Sequence, residues 1–411
     1  MNGREIVRVA IAAAVAIGGV WAVFLLLPAG TLVADVHYYY AWLTFEGGPH
    51  FDRALIEYPL PATLLLAIPL LGADSVDGYV IAYTTAIMVL IGLWFAILAH
   101  ANRGRRVSAG ALDPVIAWAF LVLATGPLII FRFDLVPALF VGVALLLVAT
   151  SPALFAHAIA WGTAMKLWPI VLIPFALADR RRWRAVGVFA LSGVVFVGIS
   201  ALVGGVGRVF SPLAWQGARG LHTESVAASW ITLARVVRPE SWNASLSDNN
   251  SVDYFGPGVD VTAHVATVAT VLVLGFLVVL AVRAVRNQVS DPVTIAIAAV
   301  AVISLFIASN KVFSPQYIVW ILPAWTALLV LNARAEEDAV DTGWLHTQTL
   351  LLIALTVLTQ LVYPTLYRYL FWEPEGVGLG VASLLLVLRN VILVAWAIAA
   401  ARAAWIRTGT R

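Results

Sequence analysis

The few ionisable residues that interrupt this apolar chain have types and positions that could carry chemistry. Asp35 lies in the run Ala34-Asp35-Val36-His37-Tyr38-Tyr39-Tyr40-Ala41-Trp42, about seven residues past the first apolar stretch and beneath an aromatic ledge. A lone carboxylate there suits a general base, taking a proton from an attacking hydroxyl of a substrate with a lipid tail and a sugar head. It equally suits an N-cap for a helix over Val36–Phe45, and one aspartate can do both. His37 is its near neighbour. Asp52 and Glu57 follow in the same segment. One of them could be a second carboxylate at the site, but the preferred reading has them hold the loop by pairing with Arg53 and capping the next helix.

Arg132 and Asp134 break apolar sequence on both sides, where an ionised group costs about 2.5–3.5 kcal/mol at a helix centre. Either they pair locally to hold two helix ends, or Arg132 faces a phosphate and Asp134 orients it. All 25 basic residues are arginine except Lys166 and Lys311, which makes the two retained lysines conspicuous. A compact ammonium is a point-charge partner for a leaving phosphate, and the plain alternative is a lysine snorkelling at a membrane interface. His222 and Glu224, in Gly220-Leu221-His222-Thr223-Glu224-Ser225, could touch a sugar or supply a second base, and the plain alternative for the lone loop histidine is ordinary surface. Gln316 and Tyr317 follow Lys311 in Ser314-Pro315-Gln316-Tyr317. Tyr363, Tyr367, Arg368, Tyr369, Trp372 and Glu373 form a second aromatic cluster, which an interfacial belt explains without function. Arg389, inside the last apolar run, is expected to pair within the bundle. No Gly-rich phosphate loop, Asp-x-Asp pair or His-Glu-x-x-His occurs, so no metal or cofactor site is expected.

The elements that must position these groups are membrane spans. Of 411 residues, 62% are hydrophobic and 11% charged, at a mean hydropathy of +0.94. A soluble domain carries about 25% charged residues, so soluble, disordered and secreted disulfide classes are excluded. Having no cysteine, the chain has neither disulfides nor thiol catalysis. Runs long enough for spans of about 20 residues, or nearly so, lie at Val9–Pro28, Gly78–Ala99, Pro114–Phe131, Leu135–Thr150, Ala153–Met165, Leu167–Ala178, Ala185–Gly207, Val261–Val282, Pro292–Asn310, Phe313–Leu331, His346–Tyr363 and Gly378–Ala401. The fold class expected is an all-α polytopic membrane protein of about twelve helices, one integral domain over 1–411.

Arginines collect at Arg4/Arg8, Arg103/Arg105/Arg106, Arg180/Arg181/Arg182/Arg184, Arg283/Arg286, Arg334 and Arg402/Arg407/Arg411. All are cytoplasmic under the positive-inside rule if Tyr58–Ala73 lies in the outer interface as a short helix. The rival topology lets that segment span. In the preferred one both termini are cytoplasmic, and loops 29–77 and 208–260, with Arg132, Lys166 and Lys311, face outward. Polar residues gathered at one membrane face are an active-site pattern, whereas an inverted-repeat transporter would spread them through matching halves.

The ordered set of an early loop Asp, Glu57-Tyr58-Pro59, Arg132-Phe133-Asp134-Leu135-x-Pro137-Ala138-Leu139, Lys166-Leu167-Trp168-Pro169, Glu224-Ser225 and Ser314-Pro315-Gln316-Tyr317 resembles the bacterial polyprenyl-phosphate-mannose-dependent mannosyltransferases of the glycosyltransferase C superfamily, over roughly residues 1–330. At Tyr58-Pro59-Leu60-Pro61 the chain departs from the family's frequent pair of consecutive prolines. The resemblance implies a glycosyltransferase C-type fold and inverting transfer on the outer face. It also implies a base at Asp35, a donor phosphate near Arg132, Lys166 and Lys311, and supporting roles for His37, Glu57, Asp134, His222, Glu224, Gln316 and Tyr317. The expected partners are a polyprenyl-phosphate sugar, a lipid-linked or cell-envelope glycan acceptor and membrane lipids, with no nucleic acid. The alternatives are a polyprenyl-phosphate-arabinose-dependent arabinofuranosyltransferase, a transporter of lipid-linked glycans, or a non-catalytic membrane scaffold.

Overall fold

The computed structural model describes residues 3–27, 29–103, 112–148, 150–178, 182–249, 251–335, 340–372 and 374–409. Pro28, Arg105, Arg106, Arg180, Arg181, Glu373 and Arg411 of the sequence reading lie outside the described residues. In chain order the α-helices are α1 (Gly3–Phe24), α2 (Ala29–Thr44), α3 (Leu60–Ala67), α4 (Val76–Ala101), α5 (Pro114–Thr125), α6 (Leu135–Leu147), α7 (Pro152–Met165), α8 (Arg182–Gly204), α9 (Val206–Ala218), α10 (Ser229–Val237), α11 (Val259–Arg286), α12 (Pro292–Ser309), α13 (Ile321–Arg334), α14 (Thr342–Gln360), α15 (Tyr367–Phe371) and α16 (Gly376–Gly409). A 3-10 segment, Trp168–Ala178, follows α7, and another, Pro315–Trp320, leads into α13.

Every apolar run expected from the sequence falls on one of these helical segments. Among the described residues, eight are long and apolar enough to cross a membrane: α1, α4, α8, α11, α12, α13 with the turn before it, α14 with the turn after it, and α16. Shorter apolar helices lie at Leu60–Gly72, Pro114–Ile129, Leu135–Leu147 and Trp168–Ala178. The outer helices α8 and α11 expose Val194, Leu202, Val271 and Leu272. Side chains of that kind directed outward along long helices are matched to lipid rather than water. The centre is α12 and α13, whose side chains are buried almost throughout.

Several helices begin with the same local device. Asp113-Pro114, Ser151-Pro152 and Asp291-Pro292 each put an oxygen acceptor at the N-cap and proline in the first turn. The side chain takes up free amides, and proline forgoes one that would have had no partner. These N-termini share one end of the bundle with the arginines. Arg8 pairs with Asp113 at 2.9 Å, Arg407 with Asp291 at 3.0 Å, and Arg334 caps the Ala101 carbonyl. The C-termini of α5, α7, α12 and α14 therefore reach the opposite end. There Arg132 follows α5, Lys166 is the C-cap of α7 and Lys311 follows α12. Cations at helix C-termini are favoured by the helix dipole.

Segment 58–73 stays at that same end. It forms α3 and a short 3-10 turn, Ile68–Gly72. Tyr58 before it bonds Tyr39, and Tyr79 after it packs on Tyr40, with ring centroids 5.6 Å apart. The long connection after α9 carries a two-stranded antiparallel hairpin, β1 (Asn243–Leu246) with β2 (Val252–Phe255), in which Asn243 faces Phe255 and Leu246 faces Val252.

Candidate functional site

A cleft of about 180 Å³ opens at this end of the bundle. One wall is the face of α2 that carries Asp35, Tyr38 and Tyr39, at spacings of three and four that share one side of a helix. Helix α2 starts seven residues earlier than expected, so Asp35 lies in its second turn and caps nothing. The N-cap reading is thereby corrected. His37, two positions on, points away from the cleft and is exposed.

Two acid–base pairs meet here, and their partners are crossed relative to the sequence reading. Arg132 pairs with Asp35, its Nε standing 3.2 Å from Oδ2, rather than with Asp134. Its other donors go to the carbonyls of Leu32 (3.0 Å) and Phe131 (3.2 Å) and to the Tyr363 hydroxyl (2.5 Å), which itself donates to the Thr31 carbonyl. Arg132 is only 4% exposed, whereas the Asp35 side chain is 29% exposed. The guanidinium is thus a fixed part of the wall and the carboxylate is the accessible member. Burial opposes the charge on Arg132, but Asp35 together with Tyr363, Tyr39 and Tyr83 outweighs it and holds the arginine firmly protonated.

Asp134, sealed below the cleft, is bound by Lys166 Nζ at 2.7 Å and by Trp320 Nε1 at 2.5 Å. Lys166 is 17% exposed and stands over the rings of Tyr58, Tyr317 and Trp320 at 5.3–5.7 Å. Rings at this distance add cation–π attraction. The ammonium therefore has a fixed seat and keeps one side toward the cleft.

Segment 51–58 brings in Glu57 and Tyr58, and its anchor is not the one expected. Arg53 pairs with Glu46, and α3 has no side-chain cap. The segment is held instead by Arg208 of α9, discussed below. Glu57 lines the cleft, and burial raises its carboxyl above the usual carboxylate range.

The far wall comes from the connection after α9. His222 lines the cleft at 3% exposure, and its Nδ1 accepts from the Glu224 amide at 3.2 Å. That leaves Nε2 as the protonated nitrogen. Burial, with Arg219 and Arg389 nearby, lowers the His222 pKa and keeps the ring neutral. Glu224 turns the other way. Its carboxylate meets Arg389 of α16 at 2.5 Å with both side chains at zero exposure, so it is a buried tie and not part of the cleft. Arg389 also donates to the Glu224 carbonyl, and Asn390 to the carbonyls of Glu224 and Ser225.

Gln316 and Tyr317 line the cleft, but Lys311 does not. The Lys311 ammonium donates to the Gly217 carbonyl at 3.3 Å, and its carbonyl accepts from the His222 amide at 3.0 Å. Its position beyond the last turn of α12 points it along the loop instead of inward.

Sequence reasoning missed Arg219, which lines the cleft with Nε buried and no hydrogen-bond partner among the described residues. In a chain so rich in arginine nothing distinguishes it. Tyr363 and Tyr367 also line the cleft, although a belt explained them. No group of three or more His, Asp or Glu residues arranged to hold a metal occurs among the described residues.

A family model for glycosyltransferase family 87 matches residues 56–315, well over half of the chain. No curated protein and no solved structure matches it.

Proposed function

The chain belongs to glycosyltransferase family 87, and from that membership we propose that it moves a sugar, mannose as the first choice, from a polyprenyl phosphate to a lipid-linked or cell-envelope glycan. Membership makes it a multi-pass membrane glycosyltransferase of the glycosyltransferase C type. The observation that carries the finer reading is the Asp35 carboxylate, open to the cleft while its arginine is locked behind it.

In this reading Asp35 takes the proton of the acceptor hydroxyl as its oxygen attacks the anomeric carbon. The bond from that carbon to the phosphate oxygen breaks on the opposite face, the phosphate leaves with the electron pair, and configuration inverts. Charge developing on the phosphate is met by Lys166, held in its seat by Asp134, and by Arg219, and such donors supply most electrostatic rate enhancement. Arg132 positions the base. Lys311, tied to Gly217, has no direct part. A second, apolar groove of about 140 Å³ begins beside the cleft at Pro59, Leu60 and Leu167 and runs between α3, α7, α8 and α9 past Phe189 and Phe196. It is a seat for the isoprenoid tail. The arginine-rich end of the bundle faces the cytoplasm, with both termini, and the cleft faces outward.

The test is transfer by the purified protein in lipid. Radiolabelled polyprenyl-phosphate mannose is supplied with an envelope-lipid extract, and polyprenyl-phosphate arabinose in parallel. Label passing from the mannose donor to a new lipid supports the reading. Transfer from arabinose alone replaces the sugar, and transfer from neither donor overturns the donor class.

A further inference from the structure

Besides Asp35, one carboxyl lines the cleft, and its surroundings are of the opposite kind. Asp35 has an arginine at 3.2 Å, whereas Glu57 makes no ion pair among the described residues, and its Oε2 is buried without a hydrogen-bond partner. The guanidinium that acts on it, that of Arg208, is fully occupied. It donates to the carbonyls of Phe51, Ala54, Leu55, Ile56 and Tyr58 and to the hydroxyls of Thr63 and Ser211. These contacts pin segment 51–58 from one point and hold Leu55 at a φ of +51°, a conformation that ordinary side chains rarely adopt. A loop strained and clamped in this way presents its last side chains in one fixed direction. Glu57 is therefore delivered into the cleft by a built clip, without a counter-charge of its own.

A buried carboxyl without a cation is costly to ionise, and the protonated acid that this favours is the only carboxyl form able to donate a hydrogen bond. We propose that Glu57 acts as an uncharged carboxylic acid that donates to an acceptor hydroxyl next to the one Asp35 deprotonates, and so selects the acceptor sugar. The acceptor, not the donor, is the partner because Glu57 shares the Tyr38 side of the cleft with Asp35, close enough for the two carboxyls to influence each other. The charged and titratable groups around Glu57 are Asp35 and Tyr38 of α2, Tyr58 beside it, and Arg208 of α9. Burial and Asp35 favour its proton, while its own backbone amide, the Tyr38 hydroxyl and Arg208 oppose them without prevailing. The sign follows: as pH rises Glu57 loses its proton, the donated hydrogen bond is lost, and acceptor binding weakens.

This inference rests on the base assignment to Asp35, and its test separates the two. Glu57→Ala, Glu57→Gln and Asp35→Asn are assayed in lipid vesicles with polyprenyl-phosphate mannose as donor and envelope-lipid extract as the titrated acceptor source. Glutamine keeps a donor and an acceptor but carries no charge, so Glu57→Gln should stay within about threefold of wild type and lose the alkaline decline. Glu57→Ala should raise the apparent acceptor KM about 10- to 100-fold, the range for leaving a hydroxyl unpaired, with donor KM unmoved. Glutamine as damaging as alanine would mean that the ionised form is needed, and a rise in donor KM would put Glu57 at the wrong substrate. Either result overturns the proposal, as does wild-type behaviour of both variants. An active Asp35→Asn would instead defeat the base assignment. Infrared difference spectroscopy of wild type against Glu57→Gln needs no turnover. It should show a protonated-carboxyl carbonyl band at neutral pH that the variant lacks, and a carboxylate band in its place would overturn the proposal on its own.

Discussion

Two arginine–carboxylate pairs stand at the same end of the bundle, Arg132 with Asp35 and Arg389 with Glu224, and they differ in one respect. In the first the arginine is 4% and the aspartate 29% exposed, while in the second both side chains have no exposure at all. The first arginine spends its remaining donors on the carbonyls of Leu32 and Phe131 and on Tyr363, leaving a carboxylate edge free to meet a substrate. The second spends them on the Glu224 carbonyl and Asn390, stitching the loop before α10 to the middle of α16. A shared pair of residue types thus serves a wall with an open group in one place and a rivet in the other. Exposure of the carboxylate, not the presence of the pair, is what leads us to propose Asp35 and not Glu224 as the group that does the chemistry.

Breaking the rivet should have the largest effect. Glu224→Ala leaves Arg389 buried and uncompensated, and thermal unfolding in detergent should show a loss of about 3–5 kcal/mol, the usual cost of orphaning a buried charge. A normal unfolding temperature would mean that the two pairs do not differ as described. At the open pair Arg132→Lys keeps the charge but cannot reach Leu32, Tyr363 and Asp35 together. Transfer assays should show kcat lower by about 100-fold from misplacement of the base, with an unfolding temperature near that of wild type.

The cations away from these pairs sharpen the contrast. Arg219→Ala should raise the donor KM by about tenfold, as expected for one charge-assisted hydrogen bond to phosphate. Lys311→Ala should change it by less than about twofold, since that ammonium serves an exposed loop carbonyl. If the two effects were reversed, the phosphate would lie on the α12 side of the cleft.

The apolar runs were legible because lipid imposes length and composition directly on sequence, and each run became a helix. Asp35, Glu57, Arg132, Lys166, His222, Gln316 and Tyr317 do converge on one cleft, for an isolated polar residue at the end of an apolar run has few other places to go. Partnership was not legible. Arg132 and Asp134 are neighbours in sequence, yet the turn between α5 and α6 sends one up to Asp35 and the other down to Lys166 and Trp320. Arg208 and Arg219 were invisible for a compositional reason, because arginine replaces lysine almost everywhere in this chain. Glu224 was expected to support the site as a sugar contact or second base, and only the fold reveals that its loop descends onto Arg389.

The central claim is that the open carboxylate does the chemistry. Its most direct test is Asp35→Asn, read for donor binding and for turnover in one preparation. Asparagine keeps the shape and removes the proton acceptor, so polyprenyl-phosphate donor binding and thermal stability should be retained while kcat falls by about 10²- to 10⁴-fold. Turnover near the wild-type rate would contradict the claim and move the base to another carboxylate.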